Sequence, residues 1–247
     1  ELTKANLEFV RYADDSIVMC QTKEDLEKAK VIVHETLQRL GLELAEDKSD
    51  DIDFHEKDFD FLGFTFNHLK MSKNRHVYYT FGPSRKSIKK FKSDIKSITK
   101  KSCTHSFEKW TKILNPVIRG KFNYFLIPFQ VAREIRLLLN ERGRVMHGIP
   151  ALDITKLDGY VRQRLRVSFS CRGKKHGGQA QGKLLTVKYD NKFFIKCMGL
   201  VTGAYMKAQI VFPGINIDDF ILLMDSNKKK STSSQSKKRF FQYAYTK

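Results

Sequence analysis

The sequence predicts an α+β protein, antiparallel strands carrying one packed helix and then a helical domain, and three observations predict it. Short apolar runs of strand character at 7–10 and 17–19 flank a tight turn at Tyr12, Ala13, Asp14 and Asp15. Beyond residue 83 the apolar residues recur every three or four positions, which is the helical period. Charge changes sign near the same point. The net charge of +19 conceals a segment 1–69 with 8 basic against 17 acidic residues, a segment 70–183 with 27 against 6, and a segment 184–247 with 11 against 4.

A chain of 247 residues allows one or two domains, and 41% hydrophobic content with nineteen Phe supplies a core. The expected divisions are 1–82, 83–170, an extension 171–225 and a basic, disordered tail 226–247. At the start, a hairpin places Asp14 and Asp15 at its tip, where neighbouring side chains cannot cover them. Thr22 and Asp25 have capping-box spacing. Leu26, Ala29, Val33, Leu37 and Leu40 then follow on one helical face until Gly41 ends the run, so this helix is expected to pack on the sheet. Leu42 and Leu44 alternate like a short strand, and 46–60 reads as an acidic exposed loop interrupted by Lys48 and Ser49. Phe59, Phe61, Leu62, Gly63, Phe64 and Phe66 return to a strand pattern, with Gly63 where a backbone or ligand can approach closely.

In the helical half, Ile88, Phe91, Ile95 and Ile98 form a stripe, while Lys86, Lys89, Lys90, Lys92 and Lys96 fall largely off it, so one face packs and another can meet phosphate. Trp110, Ile113, Leu114, Val117 and Ile118 form a second stripe. Trp110 is expected in the core, and Pro116 is expected to bend or break the helix. In a third, Leu157, Val161 and Leu165 make the buried row, which leaves Arg162, Arg164 and Arg166 for solvent or a nucleic-acid backbone. An extra helix is expected over 131–142, and the basic stretch 172–178 reads as a loop suited to phosphate. Apolar character returns over 184–224 without a motif, before the Lys- and Ser-rich tail.

Composition also excludes. No run of eighteen apolar residues and no basic-then-apolar leader is seen, so neither a membrane span nor a secretory signal is expected, and the chain reads as intracellular and cytoplasmic. Cys20, Cys103, Cys171 and Cys197 have no Cys-x-x-Cys spacing, which removes the usual zinc framework. Two adjacent acids most often decorate a solvated turn, but a pair at a hairpin tip can hold a divalent cation. Mg²⁺ suits it, since it keeps several waters and completes its shell with substrate phosphates. A field as basic as that of 70–183 concentrates polyanions, and each phosphate neutralised releases counterions, so nucleic acid is the expected partner rather than a membrane.

Together FVRYADD at 9–15, LGLELAEDKS at 40–49 and FLGF at 61–64 resemble the second half of a reverse-transcriptase palm. Downstream, W-x3-LNPVIRG-x2-NYF at 110–125 and LDGYVRQRLR at 157–166 resemble the thumb, or maturase domain, of group II intron-encoded proteins. The resemblance implies a partial polymerase palm followed by a helical thumb/maturase domain. It implies RNA-directed DNA synthesis: attack of a primer 3′-hydroxyl on the α-phosphate of a deoxynucleoside triphosphate, with Mg²⁺ ions clamping the attacking and leaving oxygens. On that basis Asp14 is the stronger metal ligand and Asp15 the second acid, while Tyr12 and Ala13 shape the turn beside the primer end. Lys48 would neutralise or protonate departing pyrophosphate. Phe61, Leu62 and Gly63 resemble a primer grip, and Arg119 joins Arg162, Arg164 and Arg166 as expected nucleic-acid contacts. The implied partners are an RNA template, a DNA primer, deoxynucleoside triphosphates and a group II intron RNA.

The sequence also departs from that pattern. Lys121 stands where the family has tryptophan, 126–156 is longer than expected, and no paired-cysteine nuclease domain is visible. The family's third metal-binding aspartate and its fingers would precede Glu1. The 247 residues by themselves are therefore expected to copy poorly, with an N-terminal polymerase half as a missing partner. The alternative is a non-catalytic RNA-binding maturase module that assists intron RNA folding or splicing, and a third is a decaying gene remnant.

Overall fold

β1 (Glu8–Tyr12) and β2 (Asp15–Met19) form an antiparallel hairpin in which Tyr12 pairs with Asp15, so Ala13 and Asp14 alone make the turn. Ala13 takes φ 51, the left-handed conformation that two-residue hairpin turns demand. The computed structural model describes residues 1–45, 49–71, 77–100, 105–139, 148–150, 152–170 and 186–230.

α1 (Lys23–Arg39) begins as its sequence predicts, with the Thr22 hydroxyl accepting from the Asp25 amide and the Asp25 carboxylate accepting from the Thr22 amide. It ends at Gly41, φ 66, where the Leu42 N–H donates to the Leu37 carbonyl at 2.9 Å. Burial along its stripe is shallow: Ala29 is buried, Leu26, Val33 and Leu37 are half-buried, and Leu40 is exposed. Residues 42–45 form no strand. Leu42 and Leu44 are exposed and pair with no strand among the described residues, which corrects the reading from their alternation.

A second sheet runs β3 (Phe59–Phe61), β4 (Phe64–Met71), β5 (Val77–Pro83) and β6 (Gly148–Pro150) in that order, antiparallel except for the parallel β5–β6 pair. Its unity comes from aromatics that meet across strands. Phe59 stacks on Phe66 and Phe66 on Phe81, with ring centroids 5.0 and 5.6 Å apart.

Beyond the sheet come α2 (Arg85–Ile98), α3 (Phe107–Phe125), α4 (Ile127–Leu139), α5 (Ile154–Ser170), a π-helical turn (Phe193–Cys197), α6 (Gly203–Val211) and α7 (Ile217–Lys230). The stripes of α2, α3 and α5 meet in one core, in which Phe91, Ile95, Trp110, Leu114, Phe122 and Leu165 are fully enclosed. α3 is not broken at Pro116. The ring sits on an exposed face, where water can take the carbonyl that the missing N–H leaves free. α4 fills the stretch where a helix over 131–142 was expected, but it starts earlier, at Ile127, and Arg142 lies outside the described residues. α7 continues through Lys230, past the point where a disordered tail was expected to begin. The basic stretch 172–178 and residues 231–247 lie outside the described residues.

α6 crosses α3 at Gly203, where an added Cβ would lie 2.2 Å from the Phe122 ring. The Asp158 carboxylate accepts from the Gly203 and Ala204 amides at 2.8 and 2.9 Å and so ties α5 to the start of α6. Burial pushes the Asp158 carboxyl up, against those two bonds and the nearby Arg162 charge. Among the described residues no helix is long and apolar enough to cross a membrane.

Candidate functional site

The hairpin tip presents two carboxylates to water. Asp14 and Asp15 are exposed, and neither carboxylate accepts from another described residue. The turn is braced on its other side, where the Arg11 guanidinium donates to the Ala13 carbonyl at 2.9 Å. Among the described residues no three His, Cys, Asp or Glu side chains gather in a metal-binding group. The donor set is therefore a pair of uncommitted carboxylates, which fits a Mg²⁺ ion whose other positions are filled by water and phosphate oxygens. Tyr12, 65% exposed, stands beside the acids on the same tip.

The second predicted feature, Phe61 to Gly63, is not the middle of one strand over 59–66, as its pattern reads, but the tight turn between β3 and β4. Phe61 pairs with Phe64, so Leu62 (φ 49) and Gly63 (φ 73) form a two-residue turn with both residues left-handed. Its backbone is held by the helices. The Ser84 amide and the Ser87 hydroxyl donate to the Gly63 carbonyl at 2.8 and 2.9 Å, and the Tyr124 hydroxyl donates to the Leu62 carbonyl. Phe64 packs on the Tyr124 ring at 4.8 Å. The close approach expected at Gly63 is made here by Ser87, whose hydroxyl lies 2.9 Å from where a Cβ would be.

The Tyr124 hydroxyl is also within electrostatic range of Tyr12 on the hairpin tip. Burial raises the Tyr124 hydroxyl above the ordinary phenol value, and the Tyr12 phenol adds to the effect. Sequence reading did not single out Tyr124, Ser84 or Ser87. Tyr124 is in the NYF of the α3 motif, off the apolar stripe, and is 38% exposed, with its ring on Phe64 and its hydroxyl on the Leu62 carbonyl.

The expected basic contacts divide. On α2, Arg85, Lys86, Lys89, Lys90, Lys92 and Lys96 are exposed, opposite the buried Phe91 and Ile95. Arg119 is exposed on α3. The α5 arginines are turned inward, which corrects the expectation that they face solvent. Arg164 donates to the Thr99 hydroxyl and carbonyl at 3.1 and 2.7 Å, and Arg166, 9% exposed, donates to the Tyr189 carbonyl at 2.9 Å and stacks over Phe194. Arg162 is partly buried near Asp158, with no partner for its Nε among the described residues. The physical reason is that α2 ends at Thr99 and the 189–191 turn ends in open carbonyls, and guanidinium forks satisfy both. Lys48 lies outside the described residues. The acids around it that are described pair locally, Asp51 with Lys30 at 2.6 Å and Asp58 with the His68 ring at 2.7 Å.

Residues 1–66, from the hairpin into β4, match the family described as reverse transcriptase (RNA-dependent DNA polymerase). Residues 88–140, from α2 through α4, match the group II intron, maturase-specific domain. No curated protein matches the chain.

Proposed function

We propose that the hairpin tip is the metal-holding edge of an RNA-directed DNA polymerase site, a reading supported by the match of residues 1–66 to the reverse transcriptase family and of residues 88–140 to the group II intron maturase-specific domain. The observation that carries the reading is the pair of uncommitted carboxylates on a two-residue turn; a second turn, at Leu62 and Gly63, is anchored to α2 and α3 through Ser87 and Tyr124. Bound Mg²⁺ would offset the charge that builds on the α-phosphate and on the departing pyrophosphate. Asp14 and Asp15 hold it, Asp14 from the turn itself and Asp15 from the first position of β2. Small Ala13 leaves room for the primer end, and the Leu62–Gly63 turn guides the primer strand. The exposed cations of α2, and Arg119, take the phosphates of an RNA template and DNA primer, so affinity should fall steeply with salt. Lys48 would lie near the triphosphate of the incoming deoxynucleotide. The working place of such a protein is with nucleic acid inside the cell.

The reading is tested by RNA-templated primer extension with Mg²⁺, using the 247-residue chain alone and co-expressed with a fingers-and-palm portion. Synthesis is expected in the second case. Asp14→Ala should lower it by about a hundredfold or more while RNA binding is kept. Robust synthesis that ignores Asp14 would defeat this assignment. The exposed basic face of α2 favours a second reading, an RNA-binding maturase module without copying activity, and salt-dependent RNA binding with no synthesis in either case would support it.

A further inference from the structure

A groove of about 510 Å³ opens between α3, α4 and α6. We propose that it receives a single unpaired nucleotide of a bound RNA, base inward and phosphate at the rim. The inference rests on the RNA-binding part of the reading above and adds what the RNA must present. α6 lies outside both matched segments, so one wall of this groove is not part of either family match.

The floor is apolar, formed by the buried Leu126 with Met206 and Ile210, and suits the flat face of a base. Above it stand three primary amides, one from each helix: Asn123, Gln130 and Gln209. Each amide offers both donors and an acceptor, the complement of a base edge, and all three are exposed with their side-chain groups uncommitted among the described residues. Arg119, one helical turn before Asn123, and Arg133, near Gln130, put two cations at the rim for the phosphate. Glu134 adds an acceptor for an exocyclic amine. A bare phosphate would need neither the floor nor the amides, and a duplex cannot present a base face to the floor. A nucleotide outside a helix, the form in which RNA sequence is usually read, matches all three parts. The volume is in the range of small-ligand sites. The walls are fixed in advance, because Gly203 brings α6 against Phe122 of α3 and Lys207 of α6 lies over the Phe129 ring of α4 at 4.0 Å.

The test is the affinity of the full chain for fluorescein-labelled RNA hairpins at several salt concentrations. The hairpins carry one bulged nucleotide (A, C, G or U in turn), an abasic bulge at the same position, or no bulge. At least one bulged base should bind about fivefold tighter than the abasic hairpin. Gln209→Ala, at an exposed position, and Ile210→Trp, which fills the floor, should each remove that difference and leave abasic binding unchanged. Equal, salt-sensitive binding of all hairpins would overturn the groove assignment and leave RNA binding standing. Failure of every hairpin to bind would overturn both.

Discussion

Residues 8–45 leave Phe9, Val10, Tyr12, Met19, Leu40 and Leu42 largely in water, whereas the helices from α2 onward enclose Phe91, Trp110, Leu114, Phe122 and Leu165 completely. Each part has the local signals of a well-formed element, with a tight turn and a capping box in the first and Ser caps in the second. They differ in what burial adds. A lone two-stranded hairpin is marginal in water, so the tip with Asp14 and Asp15 takes little of its stability from its own packing. The helical part is a platform, and Tyr124 and the α2 cap carry its order to the β3–β4 turn. The proposed metal-holding tip, whose acids would have to stay open to metal, water and phosphate, is thereby set apart from the residues that keep the chain folded.

The strongest way to break this comparison is to overpack the platform. Gly203→Ala forces a methyl into the Phe122 ring at the α3–α6 crossing and should cost about 2–3 kcal/mol in urea unfolding. Phe9→Ala, at a residue 43% exposed, should cost less than about 1 kcal/mol in the same measurement. Comparable losses would mean that the hairpin shares the core's cooperative unit.

Tyr124→Phe tests the seam. It removes one hydrogen bond to the Leu62 carbonyl and keeps the ring on Phe64, so the expected loss is about 1 kcal/mol. Amide exchange should quicken at Gly63 and Phe64 and stay unchanged in the middle of α3. Quickening throughout α3 would show that Tyr124 belongs to the platform and not to its link with the turn.

What could be read in advance follows the range of the forces involved. The hairpin turn, the Thr22 cap, the Gly41 stop and the α2 stripe depend on residues within a few positions of one another, and each lies where its sequence points. The failures are long-range. Leu42 and Leu44 alternate like a strand, but a strand needs a partner, and alternation does not supply one. Arg164 and Arg166 fall off the apolar stripe of α5, yet they serve carbonyls at Thr99 and Tyr189, 65 and 23 residues away. β6 is three residues long and has no pattern to read. At the candidate site, the hairpin that carries Asp14 and Asp15 was legible because turn chemistry is local, whereas 59–66 reads as one strand pattern and is a hairpin that turns at Leu62 and Gly63. Tyr124 was not legible, since its role exists only once α3 lies beside β3 and β4.

The smallest expected effect belongs to the sheet between the two regions. The Asp58 carboxylate accepts from the His68 backbone N–H at 2.7 Å and sits 2.7 Å from the His68 ring nitrogen, and these contacts, the backbone bond foremost, hold its carboxyl below the usual range. A carboxyl lowered by folding binds fewer protons folded than unfolded between its lowered value and the ordinary one, near pH 4. Its contribution is therefore complete above that ordinary value and is lost as pH falls through the lowered one. Because Asp58 is exposed, solvent screening limits the contribution to a few tenths of a kcal/mol. Urea midpoints of the protein and of Asp58→Asn should differ slightly at pH 6 and converge as pH drops below about 4. A gap that widens on acidification would show instead that the carboxylate is strained where it lies, and that the contacts to His68 do not stabilise the 50–58 loop against β4.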